Sequence, residues 1–221
     1  MESIPGLMTE SFFEFAKNPQ NTQAILDIQK GLITAPNRAE MVQWVLKSIL
    51  DNREFMELFE KKYIPRFPSN EELAATPEGS LGRAVLQHLT ANGIALDFAG
   101  LDTSIYYQQE MSPPVYLGLR ALRMHDVWHA VLGLGVSPLD EYALASFQLG
   151  QFYSPNHMTL LSAGYLNVAF YTPEEIPKFL DQTSKFYQIG RAAKFFAGFQ
   201  FEENWNTPLR DVRTMLGVNL V

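Results

Sequence analysis

Apolar residues recur every three or four positions along most of the chain, and no segment shows a convincing apolar–polar alternation. A period near 3.6 residues is typical of amphipathic α-helices, whereas half-buried strands repeat every two residues. The pattern therefore predicts an all-α protein, with helices over 21–32, 38–50, 51–63, 81–91, 114–134, 138–152, 157–170, 172–196 and 207–217.

The stretch 94–112 interrupts this pattern, and we expect it to be a long connection containing a short helix. No internal repeat or low-complexity linker divides the chain. We therefore predict a single domain over 1–221, with an N-terminal helical part over 1–68 that packs separately.

His125, Asp126 and His129 form an HDxxH sequence inside the predicted helix 114–134. Each helical residue advances about 100° around the axis, which puts His129 at about 40° and Asp126 at about 100° from His125. Three potential metal ligands then share one face. The structural alternative is that the two histidines are simply buried and that Asp126 pairs with Arg123, three residues earlier.

A second helix is expected to begin just beyond this face. Ser137 suits the N-cap, Pro138 suits the first helical position, and Asp140 completes a capping-box-like pattern. Glu141 then lies in the first turn. His129 is about 7 Å from the end of its helix and Glu141 about 4–5 Å inside the next, so a tight hairpin brings them to similar heights. Alternatively, Glu141 is a solvated acid favoured by the helix dipole.

Composition limits the functional classes. A hydrophobic content of 47% suits a globular protein with a sizeable core, and a formal net charge of −7 argues against nucleic-acid binding. The chain has no cysteine, so any metal must be held by nitrogen and oxygen ligands. Acidic residues precede the first basic residue, Lys17, and no run of about 18 apolar residues exists. We therefore expect no secretory signal, transit peptide or transmembrane helix.

The segment 143–201 is unusually rich in aromatic residues. The simplest interpretation is a core, and the alternative is an apolar groove or tunnel for a long hydrophobic ligand, or a membrane-facing patch. The candidate lipid contacts are Phe147, Tyr153, Leu161, Tyr165 and Phe186. Room for a lipid chain between helices is expected at Gly150, Gly164, Gly190 and Gly198.

Two histidines lie outside the HDxxH sequence. His88 belongs to the apolar stripe of helix 81–91, so we expect a core histidine with a hydrogen-bond partner. His157 follows a proline near a helix start, and we expect it in the cap region or at the surface.

The HDxxH sequence, followed by eleven residues and Glu141, resembles the motif of the fourth coenzyme Q (ubiquinone) biosynthesis protein family. The resemblance covers roughly residues 72–221, the family-like core. Its weaker parts are Gly79-Ser80-Leu81-Gly82, the lead-in from Tyr116 to Met124, and Phe201-Glu202-Glu203-Asn204-Trp205. One departure is Asp140, which stands where the family usually has glycine.

This resemblance implies an all-α fold and a divalent metal bound through His125, Asp126, His129 and Glu141. It implies handling of a prenyl-quinone or another isoprenoid lipid intermediate. The protein would act either as the enzyme that removes the ring C1 carboxylate oxidatively or as an organiser of the biosynthetic complex. It further implies association with a membrane surface, contacts with other quinone-biosynthesis proteins, and a homodimer. Because no targeting signal or transmembrane helix is visible in the sequence, we expect a cytoplasmic protein.

Two histidines and two carboxylates neutralise a divalent ion, with zinc as the first expectation and iron, manganese and magnesium also admissible. Two histidines with one carboxylate is also the pattern of non-haem iron sites that activate oxygen, which suits an oxidative decarboxylation. A Lewis-acid ion holding a ring carboxylate is the alternative. Arg120 and Arg123 fall behind the ligand face, so we expect structural roles for them.

Two other functions remain open from the residues. One is a non-catalytic lipid-binding scaffold with a structural metal. The other is an HD-type metal-dependent phosphohydrolase, in which His125 and Asp126 form the central doublet. That enzyme would need His88 upstream and an aspartate downstream, either Asp181 or Asp211.

Overall fold

A computed structural model describes residues 6–94 and 110–220, without the side chains of Leu7, Thr22 and Ile33. Over these residues the regular elements are helices, so the predicted all-α class is confirmed. The α-helices are α1 (Gly6–Lys17), α2 (Thr22–Ile33), α3 (Arg38–Ile49), α4 (Arg53–Glu60), α5 (Asn70–Ala74), α6 (Leu81–Asn92), α7 (Pro113–Arg123), α8 (His125–Leu132), α9 (Pro138–Gln151), α10 (Pro155–Phe170), α11 (Ile176–Ala192) and α12 (Leu209–Leu216).

The helix boundaries follow the capping signals of the sequence. The Ser80 side chain accepts a hydrogen bond from the third backbone N–H of α6, and Gly93, with φ of 64°, ends that helix in the left-handed conformation. Ser137 and Asp140 form the predicted capping box at the start of α9. These capping residues therefore set the boundaries of two helices, α6 and α9, that carry residues of the candidate site.

The predicted helix 114–134 is two helices that meet at Met124. Met124 has φ −99° and ψ 5°, away from the helical ψ of about −42°. Hydrogen bonding nevertheless continues through it, since its N–H donates to the Arg120 carbonyl and its own carbonyl accepts from Trp128. The expected connection over 94–112 falls largely on 95–109, outside the described residues.

The helix expected over 172–196 is shorter than predicted. A 3₁₀ turn over Pro173–Glu175 precedes α11, which begins at Ile176. Pro177 thus occupies the first turn, where a missing N–H costs no intrahelical hydrogen bond. The chain leaves the helix at Ala192, and a further 3₁₀ turn spans Phe196–Gly198.

The chain forms two compact units that alternate along the sequence. The first unit contains residues up to Ser48 and residues 136–191, and the second contains residues 49–135 and 192–221. The N-terminal helices therefore belong to the same unit as α9–α11. No helix among the described residues has both the length and the hydropathy needed to cross a membrane.

The first unit is built on a core from α1, α2, α9, α10 and α11. Edge-to-face ring pairs join Tyr142 to Phe15 and to Phe179, with centroids 6.3 and 5.4 Å apart. The buried core residues are Phe15, Ala16, Ala24, Ile28, Tyr142, Ala145, Leu161, Ala163, Val168 and Phe179.

Glycines in the first unit allow close helix packing rather than room for a lipid chain. A Cβ atom at Gly190 would collide with the carbonyl oxygen of Phe147, and one at Gly150 would lie 2.5 Å from the carbonyl oxygen of Tyr187. A Cβ at Gly164 would lie 2.8 Å from an aromatic carbon. Neighbouring atoms already fill these spaces, so the prediction of room there is wrong.

The second unit packs α6 against α8, and α12 contacts both helices. Trp128 of α8 is buried against Phe196, with ring centroids 5.8 Å apart. The expectation of room at Gly198 is also wrong, because a Cβ there would lie 2.9 Å from Asn52 Oδ1 and 3.0 Å from the backbone nitrogen of Phe55. The packing of α6 on α8 places a helix directly beside the HDxxH sequence.

Candidate metal centre

The two histidines of the HDxxH sequence share one short helix. His125 is the first residue of α8, and His129 lies one turn later, with ring centroids 4.6 Å apart. The residue His129 is fully buried, whereas the His125 side chain retains 37% of its exposure. The pair thus runs from the protein interior towards solvent.

Asp126 lies between two imidazoles. Its Oδ1 atom is 3.6 Å from His125 Nδ1 and 3.8 Å from His88 Nε2. Burial alone would raise the pKa of this carboxyl, but the attraction of His125, His88 and His129 outweighs it and holds the pKa well below its usual range. Asp126 is therefore an anion facing histidines, and the alternative pairing with Arg123 is not formed.

His88 contacts this group from α6. Its ring stacks on His129 with centroids 5.4 Å apart and planes 17° apart. The expected burial of His88 is confirmed, since its side chain is only 6% exposed. The expected hydrogen-bond partner is not found among the described residues, because His88 Nε2 stays 3.8 Å from Asp126 Oδ1. The sequence showed that His88 faces a core, but it contained no signal that pairs α6 with α8.

The far end of α8 is held by the C-terminal helix. Gly133 ends α8 in the left-handed conformation, with φ of 67°. Arg213 of α12 donates through Nε to the Val131 carbonyl at 2.7 Å. Its guanidinium therefore satisfies an acceptor at a helix C-terminus, where positive charge is favourable. Burial lowers the pKa of Arg213.

Arg120 and Arg123 have the structural roles that the sequence predicts. Arg120 is buried and forms an ion pair with Glu202, and it also donates to the Phe199 carbonyl at 2.9 Å. Arg123 donates to the Pro65 carbonyl at 2.6 Å. Both side chains tie α7 to distant parts of the second unit.

Glu141 lies in the first turn of α9, where its backbone N–H donates to the Ser137 carbonyl at 3.0 Å. Among the described residues, His125, His129 and Glu141 form a group that could hold a metal ion, with one ligand atom from each within 4.8 Å of the others. Two imidazoles and a carboxylate fit a divalent cation. Asp126, His88, Asp181 and Asp211 are not in this group, so it does not have the composition that the phosphohydrolase requires.

The five candidate lipid contacts divide into two sets. Phe147, Leu161 and Phe186 are buried, whereas Tyr153 is 41% exposed and Tyr165 50% exposed. The buried three contribute to the interior of the first unit, and only the two tyrosines offer a surface to a ligand without displacement of the core. Lipid binding through these residues stays a prediction.

His157 lies in the cap region, as expected. Its backbone N–H donates to Ser154 Oγ at 3.3 Å in the first turn of α10, and its ring meets Phe152 edge-on. It belongs to neither the ligand group nor the stack on His129.

Comparison with known proteins points to one family. The chain matches the family model for the coenzyme Q (ubiquinone) biosynthesis protein Coq4 over residues 8–221. It is 29% identical over 148 residues to the mitochondrial ubiquinone biosynthesis protein COQ4 homolog of Rattus norvegicus, which is 67% of this chain and 54% of that protein. With the Homo sapiens homolog, the identity is 27% over 157 residues, covering 66% of this chain and 53% of that protein.

The chain thus spans about half the length of these curated relatives. A crystal structure from Nostoc punctiforme PCC 73102, of a protein named for ubiquinone biosynthesis, superposes with a TM-score of 0.78. The match covers 96% of this chain and 97% of that chain at 22% identity. This likeness shows a shared fold.

Proposed function

The chain belongs to the Coq4 family of coenzyme Q (ubiquinone) biosynthesis proteins, and we propose that it binds a divalent metal ion and a prenylated quinone precursor. The observation that carries the proposal is the group formed by His125, His129 and Glu141. The reaction that family membership favours is oxidative removal of the ring C1 carboxylate, which would require iron in this site and dioxygen as the oxidant, because zinc has no redox chemistry. Organisation of a biosynthetic complex, without turnover, is the second role that family membership supports.

The donor atoms limit which metal ions the site can bind. With imidazole nitrogens and carboxylate oxygens as donors, zinc is the first candidate ion, and iron, manganese and magnesium are also possible. We propose His125, His129 and Glu141 as ligands. As the fourth we propose Asp126, which lies outside this group but adjoins it, with Oδ1 3.6 Å from His125 Nδ1. When bound, such an ion would supply Lewis-acid chemistry at a ring carboxylate, or redox chemistry if it is iron. The anionic state of Asp126 suits this role, because a carboxylate must be deprotonated to bind a cation.

An isoprenoid tail needs apolar surface, and the first unit exposes several aromatic residues. Tyr165 and Phe170 of α10 are 50% and 74% exposed, and Tyr171 follows them. We propose that these exposed aromatic side chains meet the lipid tail or a membrane surface, since exposed large apolar side chains are available for such contacts. Contacts with other quinone-biosynthesis proteins and a homodimer are further proposals from family membership.

The decisive experiment uses protein purified without chelator. Elemental analysis measures bound metal, and mass spectrometry of organic extracts identifies co-purifying lipid. We expect about one metal ion per chain from one ligand group, together with a prenyl lipid. Glu141→Ala should lose the metal while the circular dichroism spectrum retains its helical signal, because the capping box that starts α9 is formed by Ser137 and Asp140.

Glu175→Ala is the control, since Glu175 is also a glutamate near a helix start, in the 3₁₀ turn before α11, but lies outside the ligand group. Full metal content in Glu141→Ala would contradict the proposed centre. Metal without lipid, combined with phosphate release from nucleotides, would instead favour the phosphohydrolase. Neither metal nor lipid would leave an interaction role as the leading account.

A further inference from the structure

We propose that His88 is a positioning residue of the metal centre, which holds Asp126 and His129 in place from the neighbouring helix α6. The inference rests on the proposed metal function. His88 belongs neither to the HDxxH sequence nor to the ligand group, and it lies 37 residues before His125 in the chain.

Burial is the first argument. His88 lies on the core-facing stripe of α6, together with the buried residues Leu81, Val85 and Leu89. A polar ring in such a position loses its hydration, and this loss is unfavourable unless protein groups replace the water. A leucine would serve packing better, so the imidazole is expected to serve a polar contact.

The polar contact is with Asp126. The buried Nε2 atom of His88 forms no hydrogen bond within the described part of the chain, and it faces Asp126 Oδ1 at 3.8 Å. A small closure of this distance would produce a hydrogen bond between imidazole and carboxylate. Carboxylates at metal centres are commonly oriented by such partners, and their loss typically weakens metal affinity about 10- to 100-fold.

The second contact is the stack on His129. The two rings are 17° from parallel, with centroids 5.4 Å apart. Parallel stacking restricts rotation of the His129 ring about its side-chain bonds. His88 therefore helps to fix the orientation of one proposed metal ligand. One side chain of α6 therefore restrains two residues of α8.

Three variants separate these contacts. His88→Gln retains an N–H donor without the ring, His88→Phe retains the ring without the donor, and His88→Leu lacks both. Zn²⁺ affinity is measured by chelator competition, and Co²⁺ loading is followed by its visible absorption. His157→Ala is the control, since His157 lies in a helix cap and not beside His129.

We expect His88→Leu to bind Zn²⁺ about 10- to 100-fold more weakly, with one ion still bound at saturation. His88→Gln and His88→Phe should each recover part of the loss. His157→Ala should match the unchanged protein. Thermal unfolding of the metal-free variants shows whether the fold is retained, and His88→Gln keeps the test valid if His88→Leu does not fold.

A second readout does not require metal. In the metal-free protein, the ring-proton resonances of His129 should move downfield in His88→Leu, because the shielding by a stacked ring is lost, and they should move less in His88→Phe. Unchanged affinity and unchanged resonances would overturn the positioning role. Complete loss of saturable binding in every variant would instead make His88 a ligand. Absence of binding in the unchanged protein would contradict the metal function itself.

Discussion

At the scale of single residues, Gly190 shows how little free space the interior of the first unit contains. The Cα of Gly190 on α11 lies so near the backbone of α9 that any side chain would collide with the Phe147 carbonyl. A backbone carbonyl cannot move aside as the end of a flexible side chain can. The close approach of these two helices therefore depends on the missing Cβ atom.

Gly190→Ala should destabilise the protein, although alanine usually favours a helix by about 0.5–1 kcal/mol over glycine. We expect a net cost of about 1–3 kcal/mol from overpacking, which is roughly 2–4 °C in Tm per kcal/mol. Differential scanning calorimetry measures it. Gly6→Ala is the matched control, because a Cβ atom there meets nothing within 4 Å. Equal Tm values for the two variants would show that α9 and α11 separate readily.

The local part of the candidate site could be predicted from the sequence. The proximity of His125 and His129 follows from helical spacing, and the capping box before Glu141 follows from Ser137 and Asp140. The stack of His88 on His129 could not, because it joins helices far apart in the chain. Composition also could not separate a buried Phe147 from an exposed Tyr165, since both suit either a core or a lipid surface.

At the scale of elements, α5 shows how side chains stabilise a helix of one turn. Ser69 and Glu72 form a capping box at its start, and Arg66 donates two hydrogen bonds to the Glu72 carboxylate. These hydrogen bonds, those from Arg66 first and the one from the Ser69 backbone next, lower the pKa of Glu72 to about 2.

The capping by Glu72 should therefore persist in moderate acid. A carboxyl whose folded pKa is lowered stabilises the fold above its ordinary value of 4.5, and this contribution is lost as the pH falls towards 2. Titration of the Glu72 side-chain carbon by NMR should give a midpoint near 2. Arg66→Met should raise the midpoint, whereas Arg53→Met, which removes a partner of Glu57, should leave it unchanged. A midpoint near 4.5 in the unchanged protein would contradict the pairing.

Element positions were mostly predictable, because caps and breakers act locally. The exceptions have local causes that the apolar pattern does not contain. The periodicity continues through Met124, although the backbone there leaves helical geometry while keeping its hydrogen bonds. Pro177 was expected inside a long helix, but the 3₁₀ turn before it shifts the helix start so that the proline falls in the first turn.

At the scale of the whole molecule, each unit is assembled from segments far apart in the sequence. The second unit needs the C-terminal residues 192–221 to complete a core begun by residues 49–135. Helical periodicity marks which face of each helix is buried, but it does not say which helices share a core. That is why the sequence pattern does not predict which segments form each unit.

The ion pair between Arg120 and Glu202 links the two segments of the second unit. Both side chains are almost fully buried, so removing one charge leaves the other without compensation. Arg120→Met should therefore cost about 3–5 kcal/mol of unfolding free energy, measured by urea denaturation. Replacing both residues with methionine should cost less than the sum of the single changes, because the double variant leaves no isolated charge.

The exposed pair of Arg53 and Glu57 provides the control. Its atoms lie 2.8 Å apart, but the Arg53 side chain is 88% exposed, so Arg53→Met should change stability by only about 0.3–0.5 kcal/mol. If Arg120→Met cost no more than Arg53→Met, the buried pair would not hold the C-terminal segment in the second unit. If only Arg120→Met lowers the free energy of unfolding strongly, this contact is a main link between α7 and the C-terminal residues. It would then stabilise the unit that carries His88, His125 and His129.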